Sequence, residues 1–306
     1  MQDWNFNVQG EVARATRLEV GYFGSKGTHL RMGYNQNQFE ITNGVPLLVG
    51  GKEVRPFPAF ANITTIISPG NSSYNALWVS VTRRMSRNLQ FMGSYSWSHS
   101  IDENSLSSQP PTVQDSTNIF NDRGNSDFDA RHHFNISYIY DFPFQKNPLV
   151  QGWELAGTTT FQSGNPVNLN ISATSATGLA TRRPNQIGPF AVAHPDPSLW
   201  FNTAAFCIPV EQPGCGTSVF GSFGRNVIVG PRFNNFDFSL IKNMKIRERL
   251  TVQFRSEFFN LFNHPNFAQP GRTVGSATFG VITATRSSIG DAGSARQIQF
   301  VVKLIF

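Results

Sequence analysis

Two adjacent histidines, His132 and His133 in the stretch RHHF, follow closely on Asp127 and Asp129. Imidazoles beside carboxylates are metal-site chemistry. Neighbours on a strand point to opposite faces, however, so this pair does not readily share one ion. Strand-end packing or hydrogen bonding accounts for them as simply. His99, Asp102 and Glu103 follow another extended segment and carry the same two readings. A hydrolase would need a nucleophile elbow, and no G-x-S-x-G occurs: GNSSYN and GSFGRN have the wrong spacing. GSATFG and GSFG lack the lysine that follows a phosphate loop. The acidic pairs show no context that would raise a carboxyl pKa. No catalytic residue, metal ligand, cofactor-binding residue or cofactor is therefore expected, and the chain does not read as an enzyme. Cys207 and Cys215, in CIPVEQPGC, enclose Pro209, Pro213 and Gly214. They are expected to form a loop disulfide, which requires an oxidising compartment. A zinc site would need two further ligands at suitable spacing, and none stands nearby.

The elements that carry these residues read as β-strands. Hydrophobic residues make up 39% and charged residues 14% of the 306, with 28 Phe, 26 Gly and 18 Pro. No apolar run approaches the ~18–20 residues of a membrane helix. The dominant period is two: Leu250, Val252, Phe254 and Phe258 share one face, with Ser256 the exception, and Thr251, Gln253, Arg255 and Glu257 share the other. Nine such strands are expected at about 4–10, 16–24, 73–83, 89–101, 129–142, 152–164, 233–244, 250–263 and 295–306. Many exceed the ~5–6 residues usual in globular proteins and suit the ~9–11 that cross a bilayer obliquely.

The connections alternate between short (11–15, 84–88, 143–151, 245–249) and long (25–72, 102–128, 165–232, 264–294). That rhythm belongs to an outer-membrane barrel with short periplasmic turns and long extracellular loops, and a Greek-key sandwich has no reason to keep it. The fold class is accordingly all-β: an antiparallel up-and-down transmembrane β-barrel, here a partial barrel of about nine to ten strands. Aromatics gather at strand ends, as in Tyr95 and Trp97 or Tyr138, Tyr140 and Phe142, like an interfacial girdle against outer-membrane lipid. Gly93 and Gly157 suit bends or bulges in the wall.

The net charge of +6 raises the question of nucleic acid. The basic residues gather instead at the short turns, as Arg83, Arg84 and Arg87, Lys146, and Lys245, Arg247 and Arg249, so no nucleic-acid partner is expected. Gln90, Glu154, Thr158, Thr160, Gln253, Arg255 and Glu257 line the lumen, against water or a plug. The loops are rich in asparagine: Asn35, Asn37, Asn43, Asn71, Asn75, Asn104, Asn118, Asn121 and Asn125. Turn chemistry is the simpler reading, and contact with a polar ligand is the functional one.

In the terminal ARQIQFVVKLIF, Ile298, Phe300, Val302, Leu304 and Phe306 share one face. A last strand of alternating hydrophobics ending in Phe resembles the signal read by the barrel-assembly machinery of Gram-negative bacteria, which implies an outer-membrane location. Counting back from it puts the start of strand 4–10 outside the cell, whereas single-chain barrels have even strand numbers and periplasmic termini. MQDWNFNVQG also has no charged segment followed by an apolar core, as a signal peptide would. Either a further strand lies within 57–68 or upstream chain is missing.

Several segments resemble the barrel of Oar-like TonB-dependent receptors: LEVGYFGSKGTHL (18–30), NALWVSVTRRMSRNLQFMGSYSWSHSID (75–102), DFDARHHFNISYIYDFPF (127–144) and GWELAGTTTFQSGNPV (152–167). FNTAAF (201–206), GRNVIVGPRFNNFDFSLIKN (224–243) and VQFRSEFFNLFNHPNF (252–267) extend the resemblance along essentially the whole chain. It implies a barrel of about 22 strands, of which residues 1–306 would be the C-terminal portion. A signal peptide, a plug and a TonB-binding segment would precede it. It further implies energised import of an unknown bulky ligand, with the TonB complex engaged through that missing N-terminal part. The alternative is a self-contained small barrel acting as a passive pore or adhesin.

Overall fold

The computed structural model describes residues 1–105, 113–144, 147, 149–171, 182–247, 250–286 and 295–306. Nine long strands follow one another along the chain: β1 (Gln2–Ala13), β2 (Thr16–Asn35), β3 (Thr64–Ser86), β4 (Leu89–Asp102) and β5 (His132–Asp141), then β6 (Trp153–Gln162), β7 (Phe233–Arg247), β8 (Leu250–Phe259) and β9 (Gln297–Ile305). Each pairs antiparallel with its predecessor, in the order β1-β2-β3-β4-β5-β6-β7-β8-β9, so the wall is an up-and-down meander. Gly124–Asn125 adds a short rung beside the end of β4. Among the described residues there is no α-helix, and β1 and β9 do not pair with each other, leaving the wall open.

Register shows why these residues make strands. One continuous row of partners runs Gln9–Glu19–Ser80–Ser94–Asn135–Thr160–Asn235 across β1 to β7. The row beside it runs Val8–Val20–Val79–Tyr95–Phe134–Phe161–Asn234. The first is polar throughout and the second apolar until its last member, so the two faces of the wall meet different surroundings. Val8, Val20 and Phe161 stay exposed on the apolar face. In a barrel that face meets lipid and the polar face lines the lumen. Polar side chains bond across the lumen face, with Asn135 donating to Thr160 Oγ1 at 2.8 Å and Ser137 and Thr158 hydroxyls 3.1 Å apart.

The short connections are tight. Arg87 and Asn88, between β3 and β4, take φ values of 50° and 66°. Two consecutive left-handed residues are what a two-residue antiparallel turn requires. The turn between β6's predecessor β5 and β6 is held by Lys242 of β7, whose ammonium donates to the Leu149 carbonyl at 2.9 Å and lies 5.2 Å from the Trp153 ring. Lys146 and Arg249, expected at short turns, lie outside the described residues.

Three expectations need correction. The hairpin of β2 and β3 runs well past its expected ends, at 20 and 23 residues. GSKGTH (24–29) falls at the expected end of strand 16–24, but the strand continues through it because a register shift between Gly27 and Met32, with His29 at φ 57°, absorbs the irregular residues. Residues 64–68 therefore extend β3, and no separate strand lies in 57–68. Gly93 and Gly157 sit in unbroken register and mark no bulge. A side chain at Gly157 would collide with Tyr138, whose ring covers the gap that glycine leaves.

The face assignment has a direct test. Val79→Lys puts an ammonium on the lipid face and is expected to destabilise the folded protein by about 2–4 kcal/mol, whereas Ser94→Lys on the lumen face should cost far less. Denaturant unfolding in lipid vesicles measures both, and equal losses would refute the assignment.

Candidate functional site

A meander reverses at every strand, so the connections 36–63, 103–131, 163–232 and 260–296 all leave from one end of the wall. They form a packed cap there. Its core is Val167, Leu169, Phe201, Ala205, Phe206, Phe223, Ile228 and Val274, with Phe190, Trp200, Ile208 and Phe279 around it. Phe206 meets Phe223 edge-on at 4.9 Å between ring centres, and Phe201 meets Phe279 at 5.2 Å. Each such pair contributes about 0.5–1.5 kcal/mol beyond its burial. The stretch FNTAAF is shaped for this: Asn202 accepts the Ala204 N–H and caps a single 3-10 turn, which turns both Phe201 and Phe206 into the core.

Three buried arginines tie the loops together. Arg225 pairs with the Asp102 carboxylate at the end of β4, and it donates to the Asp102 carbonyl at 2.7 Å and the Asp122 carbonyl at 2.8 Å. Arg183 pairs with Asp122 and donates to the Phe223 carbonyl at 2.8 Å. Burial, with Arg225 close by, pulls the Arg183 guanidinium down to about 10, so it remains charged at neutral pH. Arg182, 1% exposed, donates to the Val219 and Pro209 carbonyls and pairs with Glu211 at 3.0 Å. Gln114 bridges the loops again, donating to the Gly221 carbonyl at 2.9 Å while accepting the Arg183 N–H. A side chain at Gly221 would strike the Arg183 carbonyl, so only glycine permits that approach. Glu103, Asp122, Asp127, Arg183, Arg225 and Arg272 surround a cavity of ≈ 190 Å³ at this junction.

Cys207 and Cys215 are joined in the cap with Cα atoms 5.8 Å apart. Asp102 and Glu103 hold Arg225 and Arg123, and Asp129 accepts the Ser100 N–H and pairs with Arg131. His132 and His133 are not brought together: His132 Nδ1 lies 2.8 Å from the Tyr95 hydroxyl, on the face away from His133. His99 lies between Asn125 and Arg131. Among the described residues no group of three or more metal-ligating side chains is assembled. Ile298, Phe300, Val302 and Leu304 line the outward face of β9, with Phe306 just beyond it, and Phe300 stacks on Phe254 at 6.1 Å.

The loop asparagines are largely structural. Asn37 is fully buried and donates to the carbonyls of Phe57, Phe60 and Ala61. Asn35 accepts from Asn37 and Ile63. Asn266 clamps Asn234 by both its backbone groups. Sequence reasoning missed Arg182, Arg183, Arg225 and Gln114, because nothing local distinguishes a buried guanidinium from a solvated one.

An open, antiparallel wall with a polar lumen face, a lipid face and loops gathered at one end defines an outer-membrane β-barrel protein. The chain belongs to the outer membrane beta barrel domain family, whose model matches residues 1–299. It is thus a protein of the Gram-negative outer membrane. Its fold is similar to that of the outer membrane transporter YddB from Escherichia coli, at a TM-score of 0.50 and 9% identity, covering 99% of this chain and 32% of that one. The chain therefore spans about a third of that transporter's length. No curated protein matches it.

Two substitutions test the cap. Arg225→Met strands Asp102 in a buried site and is expected to destabilise the cap by about 3–5 kcal/mol. Limited proteolysis should then cut within 163–232 while the strands stay protected. Replacing Cys207 and Cys215 together by serine opens a short loop and should cost about 2–3 kcal/mol, read as an earlier thermal transition that reducing agent reproduces in the unaltered protein.

Proposed function

We propose that the chain is the wall and loop cap of a TonB-dependent receptor of the Oar-like kind, which imports a bulky nutrient across the outer membrane. The observation that carries this reading is the cap itself. Four long loops are fused into one built body at the mouth of a polar lumen, with Arg225 linking the rim strand β4 to the longest loop. A passive pore has no need of so large an ordered structure over its opening. The similarity to an outer membrane transporter and the unpaired edges of β1 and β9 support a wall that is part of a larger barrel. In this reading the rest of the protein supplies a plug and the segment that engages TonB. Loops gather the nutrient, and the plug yields when the inner membrane transmits force.

Two measurements on the full-length protein decide it. Site-directed cross-linking in cells is expected to trap it with TonB, and in planar bilayers it should stay electrically closed. Steady stepwise conductance with no TonB adduct would favour the passive pore instead.

A further inference from the structure

The lumen face is not uniformly polar. Phe23 on β2 and Tyr74 and Trp78 on β3 line a concavity of ≈ 450 Å³ with Ala76 and Ser96. Phe23 and Trp78 meet edge-on at 6.2 Å. All five share the face of Ser80, Ser94 and Thr160, because they fall at alternate positions of the same registered strands. Aromatic rings facing a polar channel are not explained by packing against lipid.

The surroundings of this shelf narrow its ligand. Register sets Tyr74 opposite Ser100, Trp78 opposite Ser96 and Ser80 opposite Ser94. Farther round, Asn135, Ser137, Thr158 and Thr160 continue the face with hydroxyls and amides, and its carboxylates there, Asp141 and Glu154, stand at the short-turn ends of β5 and β6. The shelf itself, from Phe23 to Ser96, is lined by no charged side chain, and the charged residues on this face of β2, Arg17 and Glu19, pair with each other at 3.6 Å. A shelf without a cation offers an anionic ligand no counter-charge, and serine hydroxyls both donate to and accept from other hydroxyls. The hydroxyls of Ser98 and Ser100 are committed to the Ala130 carbonyl and the Ser126 hydroxyl. Those of Ser80, Ser94 and Ser96 and the Trp78 indole N–H form no side-chain hydrogen bond among the described residues, unlike the indoles of Trp153 and Trp200.

We infer that the lumen face of β3 and β4 is a binding site for a neutral oligosaccharide, stacked on Trp78, Phe23 and Tyr74 and hydrogen-bonded by Ser80, Ser94 and Ser96. A sugar ring has an apolar C–H face and an equatorial rim of hydroxyls. Aromatic rings alternating with free hydroxyls complement both, and an uncharged ligand suits a shelf lined by no charged side chain. The inference rests on the receptor reading for its biological sense, since it names the class of nutrient, but binding itself needs no TonB.

The test is calorimetric titration of the full-length protein in detergent with maltohexaose and cellohexaose, and with ferric citrate as the anionic comparison. At least one hexasaccharide is expected to bind and ferric citrate is not. Trp78→Ala should weaken sugar binding about tenfold, with Trp78→Phe restoring much of it. Trp97→Ala, on the lipid face of the same sheet, should leave it unchanged. Heat-modifiable gel migration verifies that each variant is folded. Binding of ferric citrate in place of both sugars overturns the inference, as does binding of none of the three. Sugar binding indifferent to Trp78→Ala also overturns it, and an accompanying loss of thermal stability would then mark the shelf as a packing surface for a plug. If TonB cross-linking fails while Trp78-sensitive sugar binding persists, the receptor reading falls and the site stands.

Discussion

Backbone pairing in register is the constraint on which everything else in this protein depends. Inside a bilayer no water is available to the backbone amides, so each strand must satisfy its N–H and C=O groups on its neighbours. Pairing alone does not set which residues sit side by side. That is decided by the two solvents: the row from Gln9 to Asn235 belongs to the lumen and the row from Val8 to Phe161 to lipid. A slip of one residue between any two strands would exchange those faces. The same alternation sends every long loop to one end.

A wall with solvent on both faces cannot hold a conventional core, and the packed core lies instead in the loops. Phe201, Phe206 and Phe223 sit at its centre, with Val167, Leu169 and Val274 brought to them from farther along the chain. Long loops normally pay in conformational entropy for being ordered. Here the buried phenylalanines, the joined Cys207 and Cys215, and the arginines threaded through carbonyls offset that cost. The arrangement couples cap to wall at a few buried points, among them Arg225 on Asp102 and Ser126 on Ser100.

The register also explains where reading residues along the chain goes astray. GSKGTH has the composition of a turn, yet β2 passes through it because β3 continues to pair on the far side of the irregularity. Gly157 looks like a defect until Tyr138, its partner on β5, is seen to need the room. Asn35 and Asn37 have the look of ligand-binding groups on exposed loops. They are instead among the most buried residues of the cap, with their amides spent on neighbouring backbone.

By itself the sequence determined the strands, their order, the antiparallel meander and the two faces. These follow from period two and from the alternation of short and long connections, which are local properties readable a few residues at a time. Leu250 to Phe258 shows its lipid and lumen faces without reference to any other part of the chain. Only the tertiary structure decided which loops pack together, that Arg182, Arg183 and Arg225 are buried, and that Phe23, Tyr74 and Trp78 share one hollow. Each of those depends on partners tens to more than a hundred residues away, as between Arg225 and Asp102. Contacts at that separation are set by the register of whole strands and leave no trace in the spacing of neighbouring residues.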